Sequence, residues 1–468
     1  MGNVYVDALA GTSWLAAGFD NHIKYCFDNS GLAWTADEKL AFAAACQSWA
    51  NVANITFEEV PLTASGTVPP GTEMVEALFP TAELDGVFGY GTLAIHTSPS
   101  ATGQTAGIFG VGTFRDYLQY ASPSAVGLGP EPPVAGTSGF TTFVHEIGHA
   151  LGLAHPFDTG QGTTLFPGVT LAGDPGIGGV NDRLYTVMSY LGRNDIAGPM
   201  AFDIAAIQKL YGANQNYHAG DDTYILDDVM AAPGKTISIW DAGGIDTITY
   251  SAKLNVIIDL HPATLKPGAG AGGFLSQQRP NGLNFEGFTI ANGVVIENAS
   301  GGRGNDRLTG NDANNVIKGN AGNDGLYGGL GNDKLFGGAG IDHLTGGLGK
   351  DTLTGGAGTD YFVFNTLKDS GLHRVPHDVI TDFAAGTDLV DLRKIDADTT
   401  VAGVEGFYFI GVAAFSHVPG ELHYFQNDAA GSKHDFTIIE GDVNGDGAAD
   451  FQIELKGIKF LTYNEFVF

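Results

Sequence analysis

Residues 301 to 363 repeat with a strict nine-residue period, and this repeat limits the possible folds more than anything else in the chain. The frames are GGRGNDRLT, GNDANNVIK, GNAGNDGLY, GGLGNDKLF, GGAGIDHLT, GGLGKDTLT and GGAGTDYFV. Position one is Gly in every frame, from Gly301 to Gly355, and position six reads Asp306, Asn315, Asp324, Asp333, Asp342, Asp351, Asp360. Position eight is always apolar: Leu308, Ile317, Leu326, Leu335, Leu344, Leu353, Phe362. A flexible Gly-rich linker has no reason to keep one apolar residue in phase. The period predicts a six-residue turn, in which Gly supplies positive φ, followed by a three-residue strand whose apolar side chain enters a thin core. Two frames close one 18-residue coil, so Asp306, Asp324, Asp342 and Asp360 stack in one column, and Asn315, Asp333 and Asp351 in the other. Stacked carboxylates repel unless a cation lies between them. An oxygen cage of these aspartates and the turn carbonyls around Gly301, Gly304, Gly319, Gly322, Gly328, Gly331, Gly337 and Gly340 suits Ca²⁺ in a parallel β-roll.

The charge balance points the same way. Asp and Glu number 52 against 22 Lys and Arg, for a net charge of −30. Nucleic acid and anionic membrane surfaces need clustered basic residues and are excluded as partners; cations are favoured. No run approaches the ~18 apolar residues of a membrane-spanning helix. The first thirty residues lack the basic start and apolar run of an ordinary secretory signal peptide. The length, 468 residues, suits two domains, expected at 1–222 and 223–468.

Ahead of the repeat, the runs TISIW, DTITY, NVIIDL and GVVIEN alternate with Gly and Asp turns and read as short strands. Asp241 to Asp246 is a degenerate copy of the calcium turn. Beyond the repeat, Asp442, Asn444, Asp446 and Asp450 follow an EF-hand loop to its ninth position, but Ile453 stands where the bidentate Glu belongs. The N-terminal half is α+β. Thr35 and Glu38 form a capping box opening a helix that carries Phe42, Cys46 and Trp49 on one face, flanked by the strands HIKYCF and ITFEEV. Cys26 on the first strand and Cys46 on the helix are the only cysteines; they form either a disulfide or two buried thiols.

Residues 141 to 156, TTFVHEIGHALGLAHP, carry the chemistry. His145 and His149 are four apart, so on a helix both imidazoles leave one face, with Glu146 beside them to reach a water. Gly152 ends the helix in a left-handed conformation, and the reversed chain brings in His155. Three neutral nitrogens leave a fourth zinc position open, which is the arrangement of a catalytic site. The segment Tyr185-Thr-Val-Met188-Ser-Tyr190 follows about thirty residues later, the spacing of a Met-turn.

These motifs resemble the serralysins, secreted bacterial zinc metalloproteases of the metzincin group that carry a C-terminal RTX β-roll. The likeness runs through ALAGTSW, QSWANVANITF, the HExxHxxGxxH segment, YTVMSY, DIAAIQKLYGAN, WDAGGIDT, the nonads and the terminal NEFVF. It implies an α+β metzincin catalytic domain followed by an all-β parallel β-roll, with one Zn²⁺ on His145, His149 and His155 and several structural Ca²⁺. Glu146 would be the general base, Met188 the floor under the zinc ligands and Tyr190 a group that swings to the oxyanion. The resemblance further implies a monomer, exported by type I secretion machinery that reads Glu465 and the apolar residues after it. Its partners would be protein substrates and a small protein inhibitor. Three departures stand out: Phe157 where the family commonly has Gly, a Gly-rich loop over 157–183, and a diverged 86–125, the segment expected to pair with substrate backbone. The alternative from another class is a calcium-dependent RTX adhesin or surface-layer protein with an inactive protease-like domain.

Overall fold

The computed structural model describes residues 3–468 apart from 12, 30, 32, 80–93, 97–104, 111–134, 160–162, 193–195, 227–235, 279–286, 373–376 and 429–434. Its first part runs α1 (Val4–Leu9), β1 (His22–Asp28), α2 (Ala36–Val52), β2 (Thr56–Glu59), β3 (Met74–Phe79), β4 (Ala94–His96), β5 (Thr105–Gly110), α3 (Ser138–Ala150) and α4 (Ala201–Tyr211). The capping box at Thr35 and Glu38 starts α2 as its sequence dictates. The strands form one sheet in the order β2-β1-β3-β5-β4, parallel except for β4, which lies antiparallel at the edge. Of the segment 86–125, only 94–96 and 105–110 fall among the described residues.

Helix α2 lies between this sheet and α3. The Phe42 ring meets Tyr25 and Phe27 of β1 at 5.3 and 5.5 Å and Phe143 of α3 at 5.5 Å. Trp49 Nε1 donates to the Val144 carbonyl at 3.1 Å, fixing α3 from below. The same packing decides the cysteines. Alternate residues of a strand face opposite sides of the sheet. Tyr25 and Phe27 meet α2, so Cys26 points to the other face while Cys46 on α2 joins the core. Both are buried free thiols, the second of the two alternatives.

From Thr223 onward the chain winds into two sheets. In one, Ile258, Leu308, Leu326, Leu344, Phe362 and Val390 pair in parallel register; in the other, Ile248, Ala299, Ile317, Leu335, Leu353 and Ile380 do so. All are essentially inaccessible to solvent and form the thin core between the sheets. Strands eighteen residues apart therefore stack as the period predicts.

The strands are longer than predicted. In Val316–Ala321, Ile317 pairs with Leu335, and pairing continues with Asn320↔Gly338 and Ala321↔Ala339. The strand runs through position one without leaving the ladder, and only glycine fits there. A Cβ on Gly319 would lie 2.5 Å from the Gly337 carbonyl oxygen and collide with the Asp324 carboxylate. Gly322 has φ +119°, and a side chain there would drive into the Gly304 carbonyl of the previous coil. The GVVIEN run is also corrected: pairing starts only at Asn298–Ser300, because 293–297 form a turn and its exit. After the repeat, Glu421–Asn427, Phe436–Asp442 and Phe451–Lys456 form an antiparallel meander. Phe466–Val467 closes the edge of the ten-stranded sheet against Leu389–Asp391.

Candidate metal centre

Thr137 caps α3 by accepting from the Phe140 amide, and one helical turn separates His145 from His149. The helix stops at Leu151; Gly152 takes φ +99°, and the Leu153 amide returns to the Gly148 carbonyl at 2.9 Å. Two outside elements hold this reversal. The end of α1 pairs with it, Ala154 N donating to Leu9 O and Gly11 N to Gly152 O, both at 2.9 Å. The Tyr211 hydroxyl of α4 donates to the Leu151 carbonyl at 2.9 Å. His155 is thereby brought back over α3.

The three imidazoles converge. His149 Nε2 and His155 Nε2 are 3.0 Å apart, and His155 Nε2 and His145 Nε2 are 3.3 Å apart. Nitrogens at ~2.0–2.1 Å from a tetrahedral zinc would be separated by about 3.3 Å. The Nδ1 atoms of His145 and His149 each lie 2.8 Å from a carbonyl oxygen, of Val187 and Leu153. A carbonyl only accepts, so those Nδ1 atoms carry the protons and Nε2 presents a lone pair inward. Burial pushes His145 down to about 3 and His155 down to about 4, so both are neutral at neutral pH. Lone pairs this close repel one another, and a cation between them resolves the conflict; the donor set fits zinc.

Glu146 is buried beside the triad. Met188 is fully buried under α3, and a Cβ on Gly148 would sit 2.8 Å from its Sδ. The Tyr190 ring, half exposed, lies 5.7 Å from the His145 ring and 4.8 Å from that of His155. Burial raises the Tyr190 hydroxyl pKa, with the Glu146 charge adding to it. The structure thus gathers His145, Glu146, Gly152, His149, His155, Met188 and Tyr190 at one place. Sequence reasoning missed Gly148 and Asp203. Gly148 had a visible signal, a glycine inside a helical pattern. Asp203 in α4 accepts from Thr186 Oγ1 at 2.5 Å, Val187 N at 2.7 Å and Met200 N at 2.9 Å, fixing the turn that carries Met188.

The residues assigned to calcium lie elsewhere, in the coiled part. Down each column, the amide of position six donates to Oδ1 of the aspartate one coil on: Asp306 to Asp324, Asp324 to Asp342, Asp333 to Asp351 at 2.8 Å, and Asp342 to Asp360 at 3.1 Å. Oδ2 of Asp324, Asp333, Asp342, Asp351 and Asp360 is buried without a hydrogen-bond partner. Burial raises these carboxyls to about 6, and that of Asp333 to about 7. A buried oxygen with no donor, beside turn carbonyls, fits a hard cation. The columns continue through residues the period did not reveal. The Asp351 amide donates to Asp378 Oδ1 and the Asp360 amide to Asp388 Oδ1. Their signal was the pattern Asp-x-apolar, present in Asp378-Val-Ile380 and Asp388-Leu-Val390.

Asp241 is grouped with Asp222 and His218, their ligand atoms within 4.8 Å of one another. Asp246 is buried, with Oδ2 unpartnered. In the EF-like loop, Asp442 accepts from the amides of Asn444, Gly445 and Gly447, and Asn444 Nδ2 donates to Asp450 Oδ1 at 3.0 Å. The Asp446 carboxylate accepts from the Ala448 amide at 2.9 Å.

The family described as Peptidase M10 serralysin C terminal matches residues 202–468. Metalloprotease AprA of Pseudomonas entomophila (strain L48) is 34% identical over 445 residues, 89% of this chain and 77% of its own length. Metallopeptidase AprA of Pseudomonas marginalis is 33% identical over 304 residues, covering 60% of this chain and 55% of its own. Serralysin C of Dickeya chrysanthemi is 35% identical over 288 residues, 56% of this chain and 51% of its own. The chain thus spans little more than half the length of the latter two relatives.

Proposed function

This chain belongs to the serralysin family, and on that premise we propose that it is a secreted zinc endopeptidase cleaving internal peptide bonds of proteins. Residues 1–222 would be a metzincin-type catalytic domain and 223–468 a calcium-stabilised β-roll. The observation that carries the reading is the convergence of three Nε2 atoms at 3.0 and 3.3 Å beside a buried glutamate.

His145, His149 and His155 would hold a zinc ion, which would supply Lewis acidity and a lowered pKa for water at the site. Glu146, on the same helix, takes a proton from the attacking water as general base and returns it to the leaving amine. The Tyr190 hydroxyl, a phenol whose pKa burial raises still further, keeps its proton at neutral pH and donates a hydrogen bond to the oxyanion as it forms. Val187 and Leu153 hold two imidazoles in the tautomer that faces inward. Against the adhesin alternative stands the grouping of His145, His149 and His155 with a buried Glu146 next to His145, which supports an active site.

Calcium enters through folding: columns of buried, unpartnered carboxylate oxygens favour a chain that stays loose at low calcium and coils after type I export. A small protein inhibitor of the site is a partner consistent with this reading. The test is Glu146→Gln in the full chain. It should keep one zinc per molecule and lose casein cleavage by at least 10³-fold, roughly the upper range for a general base. Cleavage at the normal rate would remove the assignment. Tyr190→Phe should lower kcat about a hundredfold or more with KM nearly unchanged, in line with loss of one oxyanion donor.

A further inference from the structure

We infer that Phe157 is a positioning residue of the metal centre, holding the third imidazole by ring stacking and giving Tyr190 a surface to rest against. The inference rests on the metalloprotease reading above. The three histidines are not held alike. His145 and His149 have Nδ1 tied to backbone carbonyls at 2.8 Å. For His155 the facing carboxylate, Asp158 Oδ2, lies 3.8 Å from Nδ1, a distance for charge attraction but too long for a hydrogen bond. What fixes the plane of this ring is Phe157. The two rings are stacked, with centroids 4.7 Å apart and planes within 10°.

Tyr190 completes a three-ring cluster. Its centroid lies 4.9 Å from Phe157 and 4.8 Å from His155. Tyr190 is half exposed, so these two rings are the wall that keeps it beside the triad. Phe157 is itself half-buried and anchored against the main core. It is therefore a fixed surface, not a loose side chain that happens to lie close.

The stack does more than hold a neutral ring. A phenyl face attracts positive charge, and an imidazole that donates its lone pair to a dication becomes electron-poor. The attraction between Phe157 and His155 consequently strengthens when metal binds. An interaction stronger in the loaded state raises affinity by that difference. Aromatic pairs of this kind correspond to about two- to tenfold in an equilibrium constant. Residues that orient metal ligands change affinity by about 10–100-fold when replaced.

The experiment uses the full chain loaded with zinc, in calcium, and compares Phe157→Leu, Phe157→Gly and Phe157→Tyr with the wild type. Zinc release to a chromogenic chelator is the primary readout, with kcat and KM on a peptide as the second. Phe157→Leu keeps apolar volume but loses the flat face; it should release zinc about tenfold faster and lose kcat severalfold at similar KM. Phe157→Tyr should restore both. Phe157→Gly should exceed the leucine variant, and if it fails to fold, the leucine and tyrosine variants decide. Wild-type release from Phe157→Leu overturns the inference. A wild-type chain that binds no zinc at all would instead sink the protease reading beneath it, so the two failures are distinguishable.

Discussion

Asp203 shows how much of the metal centre depends on a residue that touches no metal. Its carboxylate ties Thr186, Val187 and Met200 together, and Val187 in turn accepts from His145. Asp203→Ala would leave two buried amides and a hydroxyl unpaired, at about 1–3 kcal/mol each. It should lower the melting temperature sharply and loosen zinc. Asp203→Asn keeps the shape and should retain most of both. The pair also carries a pH signature. Burial raises this carboxyl to about 7 against the three hydrogen bonds that lower it. An acid raised in the folded state stabilises the fold fully below its unfolded pKa of ~3.9 and loses that contribution as pH rises through about 7. The melting temperature of the wild type relative to Asp203→Asn should therefore fall between pH 5 and pH 8. A constant difference in thermal melts would show that Asp203 stays ionised throughout.

At the scale of the coil, one apolar side chain per frame carries the core. Leu335 is fully buried between Ile317 and Leu353, and Leu335→Ala should cost about 2–5 kcal/mol. Gly319→Ala attacks the same coil through the backbone, since its neighbour is the carbonyl of Gly337 and cannot swing aside. Both variants should raise the calcium concentration at which circular dichroism reports half-folding. An exposed change such as Glu405→Gln should not move it. The nine-residue period made this architecture legible: it set the eighteen-residue stacking, the two apolar columns and the aspartate columns. It could not reveal Asp378 and Asp388, because the chain reaches the next coil after 27 and 28 residues there. Spatial stacking survives an insertion that sequence phase does not. The state of the cysteines stayed open in the sequence for another reason. Their placement on β1 and α2 was legible, but pairing depends on which strand face meets the helix, and the partners Tyr25, Phe27 and Phe42 decide that. At the metal centre the ligand spacing was readable, whereas Asp203 and Phe157 act through contacts made only after the chain has folded back.

For the molecule as a whole, if the columns bind calcium as proposed, the net charge of −30 and the buried carboxylates make calcium and protons competitors for the same oxygens. Burial holds Asp306, Asp324, Asp342, Asp351 and Asp360 up to about 6, Asp333 to about 7 and Asp378 to about 9. Without calcium these raised acids favour the folded roll only while protonated. That stability is complete below ~3.9 and is lost as pH rises through about 6 to 7, and later for Asp378. With calcium the sign reverses. Ligation needs ionised carboxylates, so binding releases protons and the loaded roll gains stability as pH rises over the same window. Self-repulsion of −30 also grows with pH in the empty chain, so surface charge must be separated from the columns. Asp342→Asn with Asp351→Asn removes two column carboxyls and should flatten both slopes, while Glu405→Gln, on the surface, should leave them unchanged. The measurement is far-UV circular dichroism of the full chain from pH 5 to 8, in a calcium-selective chelator and in millimolar calcium. Opposite slopes are expected for the wild type. Slopes of the same sign, or slopes the double variant leaves intact, would mean that the column carboxylates are not the calcium ligands.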